Sequence, residues 1–365
     1  MVKVSPIKTP MREQPAAERV RNYDEVPFGY SPREAILEAE RCLMCKKPLC
    51  IAGCPVEIDI PGFIQFIADN DFKGGISLLK EKNILPAICG RVCPQEEQCE
   101  KECILGVKNE PVAVGRLERF LADWEAEQGE AELPPKPKST GKKIVIVGAG
   151  PAGITAAADL VRLGHKVNMF EALHEPGGVL VYGIPEFRLP KAIVFREINY
   201  LERLGVRIFM DHVIGMIKSI DELLGEYDAV FLGTGAGLPW FLNVPGENLN
   251  GIYSANEYLT RANLMKAYLF PKYKTPIIKG KVVVTVGGGN VAMDCARTAL
   301  RLGAEQSIIL YRRSRKEMPA RDEEIHHAEE EGVNFRLLST PAAFLGDERN
   351  WLREVECIRM ELGEP

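Results

Sequence analysis

The chain has 365 residues, with 46 Lys and Arg against 51 Asp and Glu, a net charge of -5 and a pI near 5.8. That balance excludes the broad basic face of a nucleic-acid binder. No run of about 18 apolar residues suggests a membrane span, and the start MVKVSPIKTPMREQ lacks the apolar core of a secretory signal, so a cytoplasmic protein is expected, with no nucleic acid and no membrane as partner. The length suggests two or three domains, and 46% hydrophobic residues are ordinary for a chain with a real core.

Residues 1–35 are polar and carry Pro6, Pro10, Pro15, Pro27 and Pro32, which predicts an extended arm. Ten cysteines occur, eight of them between Cys42 and Cys103. The first group reads Cys42-x2-Cys45-x4-Cys50-x3-Cys54-Pro55; the second reads Cys89-x3-Cys93-x5-Cys99-x3-Cys103, with Pro94 after Cys93. A disulfide scaffold suits short secreted chains, and this chain is neither. Structural zinc sites favour two short knuckles separated by a loop. Four cysteines in one short run ending in Cys-Pro look more like the ferredoxin pattern, in which the last cysteine of a run serves the other cluster. Iron–sulfur is therefore favoured, with zinc and unmetallated thiols as the alternatives. Cys295 and Cys357 are expected in the core, and the five histidines show no metal-ligand spacing. Ile60–Asn70 and Val114–Glu127 are apolar at i, i+3 and i+4, which predicts amphipathic helices. A linker rich in Pro, Lys, Ser and Gly follows at 129–142.

From Lys143 the texture changes to short Val/Ile strands alternating with Ala-rich helices. In KIVIVGAGPAG a strand runs into Gly148-x-Gly150-x-x-Gly153, with Pro151 and Ala152 opening a helix. The first glycine makes the tight turn, the second admits a pyrophosphate and the third lets helix and strand pack. The next strand ends at Glu171, an acid placed to hold ribose hydroxyls. A structural glycine turn is the alternative to a dinucleotide site. A second copy, KVVVTVGGG followed by NVAMDCARTALRLGA, gives Gly287-x-Gly289-x-x-Ala292, with Asn290 and Val291 at the helix start. Its following strand ends in Arg312 and Arg313, with Arg315 and Arg321 further on. A guanidinium grips a 2′-phosphate that an acid would repel, which favours NADPH; a solvated basic turn is the alternative. An acid in one fold and an arginine pair in the other suggest one flavin and one pyridine nucleotide. The segment 176–191, with Gly178, Gly183 and Arg188, could lie along an isoalloxazine ring, and Gly235 marks a crossing between the two nucleotide domains.

The stretches RCLMCKKPLCIAGCPVEIDIPGFI, ICGRVCPQEEQCEKECILG, VGAGPAG, GGVLVYGIPEFRLPK, GGGNVAMDCARTALRLGA and YRRSRKEMPAR together resemble one family. Its members include the small (beta) subunit of NADPH-dependent glutamate synthase and the large subunit of NADH-dependent ferredoxin:NADP oxidoreductase. The resemblance covers the chain from about residue 30. It implies an α/β protein with an α-helical N-terminal iron–sulfur domain and two interleaved Rossmann-like domains. The expected division is 1–128 for the arm and double 4Fe-4S domain, 129–142 for the linker, 143–245 for the FAD domain and 246–365 for the NADPH domain. Relatives continue past ELGEP, so the resemblance implies that the FAD domain is incomplete here. It further implies FAD, NADPH and two 4Fe-4S clusters. Cys42, Cys45, Cys50 and Cys103 would hold one cluster; Cys54, Cys93, Cys99 and Glu118 would hold the other, leaving Cys89 as a packed thiol. An exposed helix glutamate is the alternative for Glu118.

A flavin can take two electrons at once and release them singly, so it belongs between a nicotinamide and a cluster. No Ser/His/Asp triad is expected and no catalytic side chain is singled out. Residue 2 is Val, not a cysteine nucleophile, and the chain has no length for an FMN barrel. The resemblance thus implies a partner, either a larger glutamine-using synthase subunit or a ferredoxin-reductase subunit. A non-catalytic iron–sulfur fragment is the third reading.

Overall fold

The computed structural model describes residues 5–363 and separates into two compact units. The first holds the described residues before Pro15, together with Glu25–Gly177 and Arg188–Thr234; the second holds Pro15–Asp24, Gly178–Phe187 and the residues from Gly235 onward. Among the described residues, no helix is long and apolar enough to cross a membrane.

The polar N-terminal stretch is not extended throughout, and its residues 1–4 lie outside the described residues. Ala16–Arg19 forms one helical turn, and Pro32–Ala39 is a helix. Pro32 at the first helical position and a Ser31/Glu34 capping box start that helix, so one of the five prolines promotes regular structure. The helical half of the first unit continues with Ile60–Ala68, Phe72–Lys82, Pro86–Val92 and Val114–Glu127. Asp59 and Asp71 cap two of these by accepting from Gly62 and Gly74 N–H at 3.1 and 2.8 Å. Phe63, Ile64, Ile67, Leu117 and Leu121 are fully buried on the two predicted apolar faces, Leu79 is fully buried on the helix Phe72–Lys82, which was not predicted, and Phe72 meets Phe120 edge-on at 4.9 Å.

The same unit carries a parallel sheet of β1 (Lys143–Val147), β2 (Lys166–Phe170), β3 (Arg207–Phe209) and β4 (Ala229–Leu232), in the order β3-β2-β1-β4. The helix Pro151–Arg162 crosses from β1 to β2. In the second unit β5 (Val282–Val286), β6 (Gln306–Tyr311) and β7 (Asn334–Leu337) form a parallel sheet, and β8 (Ser339–Gly346) pairs antiparallel with β9 (Leu352–Arg359). Met293, Ala296, Ile309, Ile325 and Ala328 make its core. Cys295 is buried as expected, but Cys357 is exposed on β9. The hairpin leaves most of β9 in solvent, so strand alternation there does not mark a core face.

Arg297, fully buried in the second unit, pairs with Glu331 at 2.8 Å and Glu324 at 2.5 Å. Arg301 and Arg19 reach the same Glu331 at 2.6 and 3.0 Å. The guanidinium groups of Arg297 and Arg301 also lie over the Phe187 ring, 4.7 and 3.9 Å from its centroid. These contacts bind Pro15–Asp24 and Gly178–Phe187 to the helix Asn290–Arg301.

Candidate iron–sulfur and nucleotide sites

Cys42, Cys45, Cys50 and Cys103 line one cavity, walled by Leu49, Ile60 and Ile64. Arg41 fixes the approach to it. Its buried guanidinium pairs with Glu38 at 2.5 Å and donates to the carbonyls of Ser5, Glu110 and Pro111. Met44, at φ +46°, turns the chain between Cys42 and Cys45. Cys50 sits in the short turn Leu49–Ala52, and Cys103 precedes the 3-10 turn Ile104–Val107. Burial, reinforced by Cys42 and Cys103, pushes the Cys50 thiol up to about 11; burial also raises Cys42. Four soft sulfur donors around one partly apolar cavity suit a thiophilic metal group, whose positive charge would reverse this protonation.

The remaining clustered thiols meet a carboxylate. Glu118 is buried on Val114–Glu127, and its carboxyl is raised by burial and then by the neighbouring Cys93. Burial also raises Cys99, which interacts with Glu100, Glu118, Cys54 and Cys93. Cys89 interacts with Cys93 and Glu118. One close helix crossing makes this possible. A Cβ on Gly90 would stand 2.5 Å from the Arg119 nitrogen and 2.8 Å from the Gly115 oxygen, so only glycine lets Pro86–Val92 lie this close to Val114–Glu127. Gln95, itself buried, closes the corner by donating to the Cys89 carbonyl at 3.0 Å. Three thiols and a buried carboxyl with no ion pair among the described residues fit a metal cluster. The helix face of Glu118 is thus an interior one. Asn83 lies outside the stretches singled out in the sequence, and Gly90 and Gln95 lie in the second cysteine stretch with no role read from it, though a glycine flanked by Cys89 and Cys93 on a helix was a readable sign of close approach.

Both glycine loops end at helices without a side-chain cap. Gly150 precedes Pro151–Arg162, and Gly289 precedes Asn290–Arg301. The N–H groups of Ala152 and Gly153, and of Asn290 and Val291, therefore have no intrahelical acceptor. By contrast, Ser219 and Ser254 cap other helices. An anion is the natural complement of such a terminus. Gly148 has φ +102°, and a Cβ there would lie 2.3 Å from the Gly233 oxygen, so the turn after β1 needs glycine. Glu171 is buried at the end of β2. Its carboxylate accepts from Ala149 N–H at 2.7 Å and from Leu173 N–H at 2.9 Å, which ties the acid to the first loop. Lone pairs remain on both oxygens for further donors.

The second loop is tied differently. Asn290 Oδ1 accepts from the Arg321 backbone N–H at 3.0 Å, and the Gly288 carbonyl accepts from Ala320 N–H at 3.1 Å. Gly287 has φ +139°, and Ala292 is buried beside it where the first loop has Gly153. Arg312 and Arg313, just past β6, are exposed and make no side-chain hydrogen bond or ion pair among the described residues. Arg315 and Arg321 pair with Glu329 and Glu323. Gly178, at φ +53°, precedes the turn Val179–Tyr182 and Gly183 follows it; Asn263 donates to the Gly183 carbonyl at 3.0 Å and fixes that turn. Arg188 is buried in the first unit, and Gly235 is exposed with φ +72°.

A family model described as dihydropyrimidine dehydrogenase domain II, 4Fe-4S cluster, matches residues 19–130, and one described as pyridine nucleotide-disulphide oxidoreductase matches residues 142–363. The glutamate synthase (NADPH) small chain of Halomonas elongata is 38% identical over 355 residues, spanning 97% of this chain and 75% of that protein. This chain belongs to the glutamate synthase small-chain family. It is an oxidoreductase with a helical 4Fe-4S domain ahead of an α/β nucleotide-binding fold. Relatives of this family also occur in other assemblies. The beta subunit of NADP(+)-dependent formate dehydrogenase from Moorella thermoacetica is 39% identical over 87% of this chain, which spans only 46% of that subunit. A mutant of FprA from Mycobacterium tuberculosis shares the fold, with a TM-score of 0.51 and 23% identity over 61% of this chain and 65% of that one.

Proposed function

We propose that the chain takes electrons from NADPH and passes them, by way of FAD and two 4Fe-4S clusters, to a larger partner subunit that makes glutamate from glutamine and 2-oxoglutarate. The observation that carries this reading is the sorting of the clustered thiols. Cys42, Cys45, Cys50 and Cys103 share one cavity, while Cys99 interacts with Cys54, Cys93 and Glu118, and Glu118 also interacts with Cys93 and Cys89. A zinc knuckle would close four donors locally; here each set combines residues from both halves of the cysteine-rich stretch.

FAD, when bound, would accept a hydride and release electrons singly. The chain's own residues do the positioning. The uncapped terminus at Gly150 would receive the flavin's pyrophosphate, and Glu171 its ribose hydroxyls. The terminus at Gly289 would receive the NADPH pyrophosphate, with Arg312 and Arg313 on the 2′-phosphate. The clustered cysteines are half-buried, with Cys99 buried, and a reducing cytoplasm would keep their thiols available.

An anaerobic visible spectrum with iron and acid-labile sulfide assays, before and after NADPH, tests this. Flavin bands that bleach, with about eight irons per chain for two 4Fe-4S clusters, are expected. Zinc without sulfide would overturn the cluster assignment. The formate dehydrogenase relative supports a second reading, in which the same chain serves a different acceptor. Glutamate formation on adding the glutamine-using subunit separates the two.

A further inference from the structure

We propose that Asn83 is the positioning residue that presents Glu118 as the oxygen donor of the second cluster; this rests on the cluster assignment above. Asn83 follows the helix Phe72–Lys82 and is buried, 6% exposed. Its carboxamide can point only one way. Oδ1 accepts from Leu85 N–H at 3.0 Å, and the Cys89 thiol lies 3.7 Å from the same oxygen. Nδ2 is therefore turned to Glu118 Oε1, which accepts from it at 2.6 Å. The reverse orientation would set a carbonyl against the carboxylate and an NH2 against the Leu85 N–H.

The consequence for Glu118 is specific. One oxygen is held by a charge-assisted hydrogen bond, and the other accepts no hydrogen bond among the described residues. A monodentate ligand needs that division, with one oxygen anchored and one available. A carboxylate on a flexible side chain has several rotamers, and hydrogen bonds to its unligated oxygen are the usual means of fixing one. Asn83 also engages Cys89, a thiol that interacts with both Cys93 and Glu118 and could compete as a ligand. A single amide thus holds the carboxylate in place and the competing thiol aside.

The test uses the full chain purified anaerobically, with iron and sulfide counts and an EPR-monitored reductive titration. N83L keeps the branched shape and removes the hydrogen bonds to Leu85 N–H, Cys89 and Glu118. It is expected to change the EPR signature and reduction potential of one cluster and leave the other cluster's signal as in wild type. N83D opposes two carboxylates and should lower iron from about eight toward about four. N83D/E118Q restores the pair with donor and acceptor exchanged, and should recover most of the iron. An N83L protein with both wild-type signals and potentials would overturn the inference. So would an N83D/E118Q protein no better loaded than N83D, which keeps the test decisive if N83L misfolds. Wild-type protein without iron would instead defeat the cluster assignment itself.

Discussion

In the second unit, Glu331 is buried against Arg297, Arg301 and Arg19, at 2.8, 2.6 and 3.0 Å. In the first unit, Glu197 on the helix Lys191–Leu204 is buried with no ion pair or hydrogen bond among the described residues. Lys80, the cation that acts on it most, is committed to Glu125 at 2.5 Å and lies over the Tyr200 ring. Burial would raise both carboxyls. At Glu331 the guanidinium groups and their hydrogen bonds outweigh burial and hold the carboxyl well below the usual range. At Glu197 burial wins over Lys80 and Arg196, and the carboxyl is pushed up to about 7. Burial sets a cost for charge, and the company a carboxylate keeps decides whether it is charged.

The largest effect tests the paired side. E331Q leaves three guanidinium groups facing a neutral amide, all of them on buried side chains: Arg19 at 2%, Arg297 at 0% and Arg301 at 0% exposed. Breaking such a network by removing one partner costs about 3–5 kcal/mol, read as a lower midpoint in urea for the second unit. Because the folded carboxyl is depressed, its contribution is present above the ordinary carboxylate range and is lost as pH falls below it. An E331Q midpoint equal to wild type would break the comparison at its root.

Glu197 has the opposite sign. The folded protein holds a proton there that the unfolded chain has already lost, so stability falls as pH rises from about 4.5 to about 7. The fall amounts to up to about 3 kcal/mol, from 1.36 kcal/mol per pKa unit. E197Q should remove this slope and leave the protein near neutral pH at least as stable as wild type. Urea melts at pH 5 and pH 8 read it; a slope unchanged by E197Q would show that the acid is charged and solvated in the native state.

Arg312 and Arg313 supply a third situation, exposed charge without a side-chain partner among the described residues. If NADPH is their partner, R312A/R313A should raise its KM about 10- to 100-fold, as expected for losing charge-assisted hydrogen bonds of about 1.5–3 kcal/mol. NADH oxidation should hardly change. R315A should matter less for either nucleotide, because Arg315 is already engaged by Glu329. Equal losses with NADPH and NADH would remove the two arginines from the 2′-phosphate.

These differences mark how far the sequence could be read. The glycine loops and their strands were legible because most of their demands are local: Gly148 turns at positive φ and Gly153 passes close to the Gly148 carbonyl, although the approach of Gly148 to the Gly233 oxygen is not local. The amphipathic helices were legible because Phe63, Ile64 and Ile67, or Leu117 and Leu121, repeat at helical spacing. The placement of Pro15–Asp24 in the second unit was not, because it depends on Arg19 meeting Glu331, 312 positions away. Asn83 was silent for the same reason, since its role exists only after Gly90 lets two helices cross. Ser31 and Glu34 were a readable start signal that the surrounding prolines obscured. Glu197 and Glu331 look alike in sequence; only their neighbours differ.

Glu34 sharpens the comparison from the solvent side. It is part-buried, and its carboxyl is lowered chiefly by hydrogen bonds from the Ser31 side chain and backbone. Here no buried charge has to be compensated, so removing the charge should matter far less than removing the cap. S31A takes away the acceptor of the Glu34 N–H and should cost about 1 kcal/mol. E34Q keeps an acceptor that reaches back to the Ser31 N–H, as Gln does in a capping box, and should stay within about 0.5 kcal/mol of wild type. Thermal melts of S31A, E34Q and E331Q, run side by side, put the two kinds of carboxylate on one scale. An E34Q loss as large as that of E331Q would mean that the charge itself stabilises the surface helix, and the distinction between paired burial and exposed capping would fail.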